Sequence, residues 1–292
     1  MERLKGIITV FILIVLISNT FSQVKPVNIE LYSNDNKLNA RFYPADKGIS
    51  SPAVILLHGF PGNDKNPLGL AERLNKRGIN VLVFNYQGTF DSEGLFNFNN
   101  CWNDIGVALN FLNQKKNIQQ FAIDTARIII CGYSLGGSLA LTAAVHNPEI
   151  KKIIAIAGGN DQSVYLKKMI ADPIYRTAFE KMIASMSGPT GPIKGDSIYF
   201  HHYFDKIMPD VDNYDLIRNA DKLKNREILF VVGWLDTTIP MEEFIIPLYR
   251  HLKKLNPEIV TIKALETDHS FSNTRDELTD AIIEWLKYNN ML

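Results

Sequence analysis

Short, continuous apolar runs alternate along this chain with longer segments whose apolar residues recur every three or four positions. The runs read as strands covered on both faces, and the periodic segments as helices packed by one face. Asn28 to Ser33 and Lys37 to Tyr43 predict an opening strand pair, with Asn34-Asp35-Asn36 as the turn. Strands follow at Ala53–Leu57, Asn80–Asn85, Arg127–Cys131, Lys152–Ala157, Glu227–Val232 and Val260–Leu265. Asn66-Pro67 offers a cap and a first-turn proline for a helix that runs to about Lys76 and ends near Gly78. Further helices are predicted over Cys101–Lys116, Met241–Leu255 and Asp276–Tyr288. The alternation predicts an α/β fold with a mostly parallel central sheet and helices on both faces.

One stretch breaks the rhythm. From about 158 to 223 no strand pattern appears, but Val164–Ile170 and Tyr175–Ser185 are helical and Ser187–Pro192 is a loop by composition. A gap of about 65 residues between strands exceeds an ordinary crossover. It reads as a helical cap inserted over the site, or else as a peripheral decoration. The expected organisation is one domain over 23–292 carrying that insertion.

The first 22 residues read as a leader rather than as part of the fold. Arg3 and Lys5 precede an apolar stretch, Ile7 to Ile17, and Thr20-Phe21-Ser22 supplies a small-x-small cut before Gln23. The stretch is short for a bilayer span, so an uncleaved membrane anchor is the competing reading. Cleavage would export the mature chain to the periplasm or the extracellular space.

Composition narrows the function. The chain has 31 basic and 31 acidic residues and no basic stripe, which argues against nucleic-acid binding. Its two cysteines, Cys101 and Cys131, read as buried free thiols. No His-Glu-x-x-His or Cys-x-x-Cys pattern points to a metal. Nothing in the sequence sets the oligomeric state.

The chemistry concentrates at three places. Ile128–Cys131 runs into Gly132-Tyr133-Ser134-Leu135-Gly136-Gly137, and a small-residue helix follows at once. A Gly-x-Ser-x-Gly between strand and helix is the nucleophile elbow: a strained serine at a sharp turn, flanked by residues with no room for a Cβ. The turn lifts Oγ above the strand ends and aims the first helical N–H groups at any charge forming there. A serine hydroxyl needs a base, and the base an orienting acid. Asp236, after the strand ending near Val232, and His269, after the last strand, supply acid and base in the required chain order.

Other histidines lose on position: His58 ends a strand, His146 closes a helix where a cation suits the dipole, His201 and His202 are neighbours in the cap, and His251 lies in a helix. Asp268 is the alternative acid, but it adjoins His269. For a developing oxyanion the donors are the N–H of Leu135 and the N–H of Phe60 in His58-Gly59-Phe60-Pro61-Gly62; Pro61 has none to give.

Together these motifs resemble the α/β-hydrolase family, from about residue 28 to the C-terminus apart from the cap. Within it the chain looks most like dienelactone-hydrolase and prolyl-oligopeptidase-type catalytic domains. Asn85-Tyr86-Gln87-Gly88 with Ser92-Glu93-Gly94 is similar to a Tyr-Arg-Gly…Ser-x-Gly stretch there, with Gln87 where arginine is usual. The resemblance implies a serine hydrolase acting on a small-molecule or peptide acyl substrate through Ser134, Asp236 and His269, without a cofactor. An ester is the expected bond. A peptidase or amidase is the alternative, marked by a carboxylate or arginine in the pocket that the sequence cannot place. A binding protein on a hydrolase scaffold is the second alternative. A cofactor-free haloperoxidase or an acyltransferase would share the same three residues.

Overall fold

The computed structural model describes residues 25–45, 49–62, 66–188 and 191–292. The expected leader over 1–22 lies outside the described residues. In chain order the elements begin with β1 (Val27–Ser33), β2 (Asn36–Tyr43), β3 (Ser51–Leu57), α1 (Leu70–Asn75) and β4 (Asn80–Phe84). Next come α2 (Phe98–Asn113), α3 (Lys115–Phe121), β5 (Ile123–Tyr133), α4 (Leu135–His146) and β6 (Lys152–Ile156). Then follow α5 (Asp161–Ala171), α6 (Pro173–Ser185) and α7 (Ser197–Ile207). β7 (Glu227–Gly233), α8 (Met241–Phe244), α9 (Ile246–Leu255), β8 (Val260–Leu265) and α10 (Arg275–Tyr288) complete the chain.

The strands form one sheet in the order β1-β2-β4-β3-β5-β6-β7-β8. β1, β2 and β4 pair antiparallel, and everything from β4 to β8 is parallel. The loops leaving β3, β5, β6, β7 and β8 therefore emerge along one edge. In such sheets the crevice at the strands' carboxyl ends is where ligands sit.

Side-chain alternation splits the core into two layers. Ala53, Ile55 and Leu57 of β3 pack on one face with α2, α4 and α9; Val54 and Leu56 pack on the other with α1 and α10. Helix α4 lies fully inside: every residue from Leu135 to Val145 is buried. A helix this evenly apolar and small can be covered all round. Cys101 and Cys131 are free buried thiols in opposite layers.

Several boundaries differ from those the sequence predicts. Asn97 caps α2 by accepting from the Asn100 N–H at 2.8 Å, so that helix starts three residues early and stops at Asn113, where α3 takes over. Pro67 opens a single tight turn rather than a helix; Leu68 and Gly69 take positive φ, and α1 begins at Leu70. The Asn66 carboxamide still caps, accepting from Ala71 N–H at 2.8 Å. The helix expected over Met241–Leu255 breaks at Ile245, because Pro247 removes a helical donor.

The region between β6 and β7 holds α5 and α6 where helical pieces are expected. It also holds α7, which the sequence reading missed: Asp196 caps it by accepting from Tyr199 N–H at 2.7 Å. Phe200, Phe204 and Ile207 of α7 are buried in the layer that also holds α2 and α4. The loop after β4 is joined to this region by backbone bonds: Lys194 to Gly88 at 2.7 Å, Phe90 to Pro192 at 2.9 Å and Phe96 to Lys194 at 3.1 Å.

Gln87, standing where a cation is usual in the similar stretch, lies buried against Asp104. The carboxylate accepts the Gln87 backbone N–H at 2.7 Å and its carboxamide at 3.1 Å. Burial without a positive partner pushes the Asp104 carboxyl up to about 6, against the lowering effect of its hydrogen bonds from Ser33 and Gln87. A folded-state value above the unfolded one means this carboxyl stabilises the fold in acid and loses that contribution as pH rises through about 6. The stability of the wild type minus that of Asp104→Asn, from urea midpoints, is expected to fall by about 3 kcal/mol between pH 4 and pH 8. A difference that stays flat across that range would show that Asp104 ionises as freely in the fold as outside it.

Candidate active site

β5 ends in a turn that glycine alone permits. Ser134 sits at φ 54° and ψ −123°, and its N–H bonds to Ile156 O at 2.7 Å on the neighbouring strand. A Cβ on Gly132 would lie 2.0 Å from Gly136 O, and one on Gly136 would lie 2.7 Å from the carbonyls of Leu57 and His58. Such contacts are impossible without moving backbone, so both glycines of the Gly-x-Ser-x-Gly are required by close approach. Gly158, after β6, is as tight: its Cβ would meet Ser134 O at 2.3 Å.

Three side chains from three loops converge there. His269 Nε2 lies 3.0 Å from Ser134 Oγ. His269 Nδ1 lies 2.7 Å from Asp236 Oδ2. The other oxygen of Asp236 accepts the Thr238 and Ile239 N–H groups at 2.9 and 2.8 Å, which fixes the carboxylate. Asp236 is buried, while the His269 side chain keeps 20% of its surface exposed. The sequence-expected trio is thus brought together in one hydrogen-bonded chain. Asp268, the alternative acid, instead turns back on its own loop and accepts from Ser270 N–H and hydroxyl at 3.0 and 2.8 Å.

The two expected oxyanion donors flank the same point. Leu135 opens α4, and Gly59 of the β3 loop passes so close that its Cβ would lie 3.0 Å from Ser134 Cβ. Among the described residues, neither the Leu135 nor the Phe60 N–H donates to a backbone carbonyl. The remaining histidines take other places. His58 is buried under Tyr86, with ring centroids 4.3 Å apart, and its Nδ1 meets Gly59 O at 2.8 Å. His146 ends α4 but stacks on Trp102 at 4.8 Å. Burial, with Lys222 nearby, pushes His146 down, which corrects the reading of it as a helix-end cation.

Ser134 and His269 open on a cavity of about 700 Å³. That is a size suited to a small organic ligand. Its walls are mainly apolar and aromatic: Phe60, Phe96 and Phe98 from the core, Met169, Phe179 and Phe204 from α5–α7. Phe60 and Phe96 rings lie 5.5 Å apart and Phe179 and Phe204 rings 5.7 Å. Tyr203 accepts the Phe98 N–H at 2.8 Å and so ties α7 to the start of α2.

Two charged residues that the sequence reading did not single out also line this cavity: Asp161 and Arg275. Asp161 opens α5 and accepts the Gly159 N–H at 2.7 Å. Burial pushes its carboxyl up to about 7, partly offset by hydrogen bonds from backbone and Ser138 and by nearby His269. Its signal was positional: Gly158-Gly159-Asn160-Asp161 leaves β6 at the same edge where the loops after β5, β7 and β8 supply the other three residues. Among the described residues no cluster of side chains could hold a metal ion, and no helix is long and apolar enough to cross a membrane.

Comparison with known proteins bears on the fold. The sequence pattern of the alpha/beta hydrolase fold matches residues 52–205. An uncharacterized Mycobacterium tuberculosis protein is 30% identical over 208 residues, covering 68% of this chain and 69% of that one. The quorum-quenching protein AidA of Acinetobacter baumannii is 27% identical over 175 residues, 58% of this chain, and the match spans 55% of AidA's own length. Among solved structures, the Pyrococcus furiosus esterase Pf2001 superposes with a TM-score of 0.61 at 18% identity, covering 90% of this chain and 92% of that one. Est1E of Butyrivibrio proteoclasticus, solved with ferulic acid, gives 0.62 at 19% identity, covering 89% and 98%. At these identities the structural likeness speaks for the fold, while the matched sequence pattern spans more than half of the chain: the protein belongs to the α/β-hydrolase-fold family.

Proposed function

We propose that this protein is an exported serine hydrolase that cleaves carboxylic esters through an acyl-enzyme. The observation that carries the reading is the hydrogen-bonded chain Ser134–His269–Asp236 at the mouth of an apolar cavity. His269 Nε2 takes the Ser134 proton as Oγ attacks the acyl carbon, and Asp236 orients the ring and stabilises the imidazolium that forms. The N–H groups of Leu135 and Phe60 receive the oxyanion. His269 then hands the proton to the leaving oxygen, and water releases the acyl group by the same steps reversed.

The aromatic cavity supports a small acyl substrate, and the similarity to a protein that binds ferulic acid points the same way. Export rests on the N-terminal pattern alone and is tested by the mature protein starting at Gln23.

Replacing Ser134 by Ala is expected to abolish fluorophosphonate labelling and to lower kcat/KM on p-nitrophenyl esters by about 10³-fold or more. A folded wild type that neither labels nor turns over would remove the enzyme reading and leave the binding-protein alternative.

Asp161 adds a pH signature. It is neutral below about 7 and ionised above. An anion near His269 favours the imidazolium of the transition state, so deprotonation of Asp161 raises the rate. The acid side of the wild-type kcat/KM profile is expected to show two ionisations, and that of Asp161→Asn only one. Identical profiles would leave Asp161 no part in the chemistry.

A further inference from the structure

The cavity has two unlike ends. The end beneath α5–α7 is lined by Phe96, Leu166, Met169, Phe179, Phe200 and Phe204. The other end is lined by Asn66, Ser270 and Arg275. Arg275 is the first residue of α10, six residues after His269. It is half-buried, and the one hydrogen bond of its side chain among the described residues runs from Nε to Phe271 O at 2.8 Å.

Arg275 takes part in none of the ion pairs found among the described residues. The acids around it are committed elsewhere. Asp268 bonds Ser270, and Asp276, next in sequence, pairs with Arg73. A guanidinium carries five N–H donors in a fork that fits a carboxylate, and here the terminal four have no protein acceptor among the described residues. Partial burial, with Arg73 nearby, pulls this guanidinium below its ordinary value, against the opposing influence of Tyr133 and Asp268. A cation at the first turn of a helix also opposes the helix dipole. A bound anion would relieve both.

The chemistry fixes which half of a substrate meets Arg275. His269 Nε2 must reach the leaving oxygen to give it a proton, so the leaving half lies on the side of the His269 loop. Arg275 lines the cavity on that same segment. The acyl half is left to the apolar end beneath the cap. Building on the serine-hydrolase reading, we propose that Arg275 is the anion-binding residue of a leaving-group subsite, and that the preferred substrates are apolar acyl esters of carboxylate-bearing alcohols. In hydrolysis the acyl C–O bond breaks, the Ser134 proton passes through His269 to the leaving oxygen, and water supplies the oxygen of the released acyl acid. The products are a free acyl acid and a hydroxy acid. An amide of an amino acid presents the same carboxylate, and the test separates the two.

Butyryl esters of 3- and 4-hydroxybenzoate would be compared with the matching hydroxybenzamide esters, which have the same shape without the charge. 4-Butyramidobenzoate and the matching uncharged 4-butyramidobenzamide form a third, amide arm. Wild type is expected to favour a carboxylate ester over its carboxamide by about tenfold or more in kcat/KM. The advantage should shrink as ionic strength rises. Arg275→Gln should lose that advantage while turnover of the carboxamide esters stays within about twofold, and Arg275→Lys should keep part of it. A carboxylate preference in the amide arm alone would keep the subsite and move the bond to an amide.

Equal rates for charged and neutral esters in wild type, or an equal fall on both in Arg275→Gln, would overturn the subsite while leaving the hydrolase intact. If wild type turns over none of these compounds, fluorophosphonate labelling decides the hydrolase reading separately. Calorimetric titration of wild type and Arg275→Gln with 4-hydroxybenzoate then decides the subsite: binding lost in the variant supports it, and equal or absent binding in both overturns it.

Discussion

The rest of the site depends on the turn that holds Ser134 at φ 54°. A non-glycine residue there carries a cost on the order of 1–3 kcal/mol unless its surroundings overdetermine it. Here they do. The Ser134 N–H is held by Ile156 O of β6, and Gly137 N–H returns to Ser134 O at 2.8 Å. The backbones of the β3 loop, the elbow and the β6 loop interlock at Gly132, Gly136 and Gly158 with no space for a single methyl, and Gly59 lies tight against the Ser134 and Tyr133 side chains. The strain is therefore borne by a parallel sheet already paired in register across β3, β5 and β6. The same interlock sets where α4 begins, one residue after Ser134.

Three buried carboxylates show how environment assigns roles to one functional group. Asp236 receives two backbone N–H groups and an imidazole, so its position and orientation are fixed. Asp161, deeper in the cavity wall, has backbone and hydroxyl donors, yet burial holds it to about 7. Asp104 has the Gln87 carboxamide and backbone N–H and the Ser33 hydroxyl where a cation would fit the pattern, and it stands at about 6. Only the first lies against a histidine that also reaches a serine. Proximity to the pocket alone would not have singled it out, since Asp161 lines the cavity too.

Much of this was legible in the sequence, because it rests on local rules. Gly132, Ser134 and Gly136 mark a turn whose geometry is dictated within five residues. Asp236 and His269 follow apolar runs that could only be strands of a covered sheet, so their common edge is a consequence of parallel pairing. What stayed hidden depends on tertiary contacts. The helix α7 has an ordinary cap at Asp196, but two of its three buried residues are aromatic and sit among exposed or half-buried rings and histidines in Tyr-Phe-His-His-Tyr-Phe, so the periodicity is blurred. Asp161 and Arg275 are ordinary first-turn residues until the fold turns both helices toward one cavity. The expected dipole role of His146 failed because tertiary packing partly desolvates its ring and brings Lys222 near it.

The cap is not a separate body laid over a finished enzyme. Leu166, Met169, Phe200 and Phe204 belong to the same apolar layer as Ile105, Leu109 and Leu139 of the core helices. Backbone bonds at Gly88, Phe90 and Phe96 join the loop after β4 to the segment before α7, and Tyr203 holds the start of α2. A cavity built this way is shaped before ligand arrives, which lowers the ordering cost of binding. It also couples selectivity to folding. An aromatic side chain on the cavity wall is at once a contact for substrate and part of the packing that keeps the cap in place. The polar end of the cavity is under no such constraint. It belongs to the loop between β8 and α10, where Ser270 and Arg275 reach the cavity without entering either apolar layer. Substitution is therefore structurally cheap at that end, whereas at the apolar end it must be negotiated with the core.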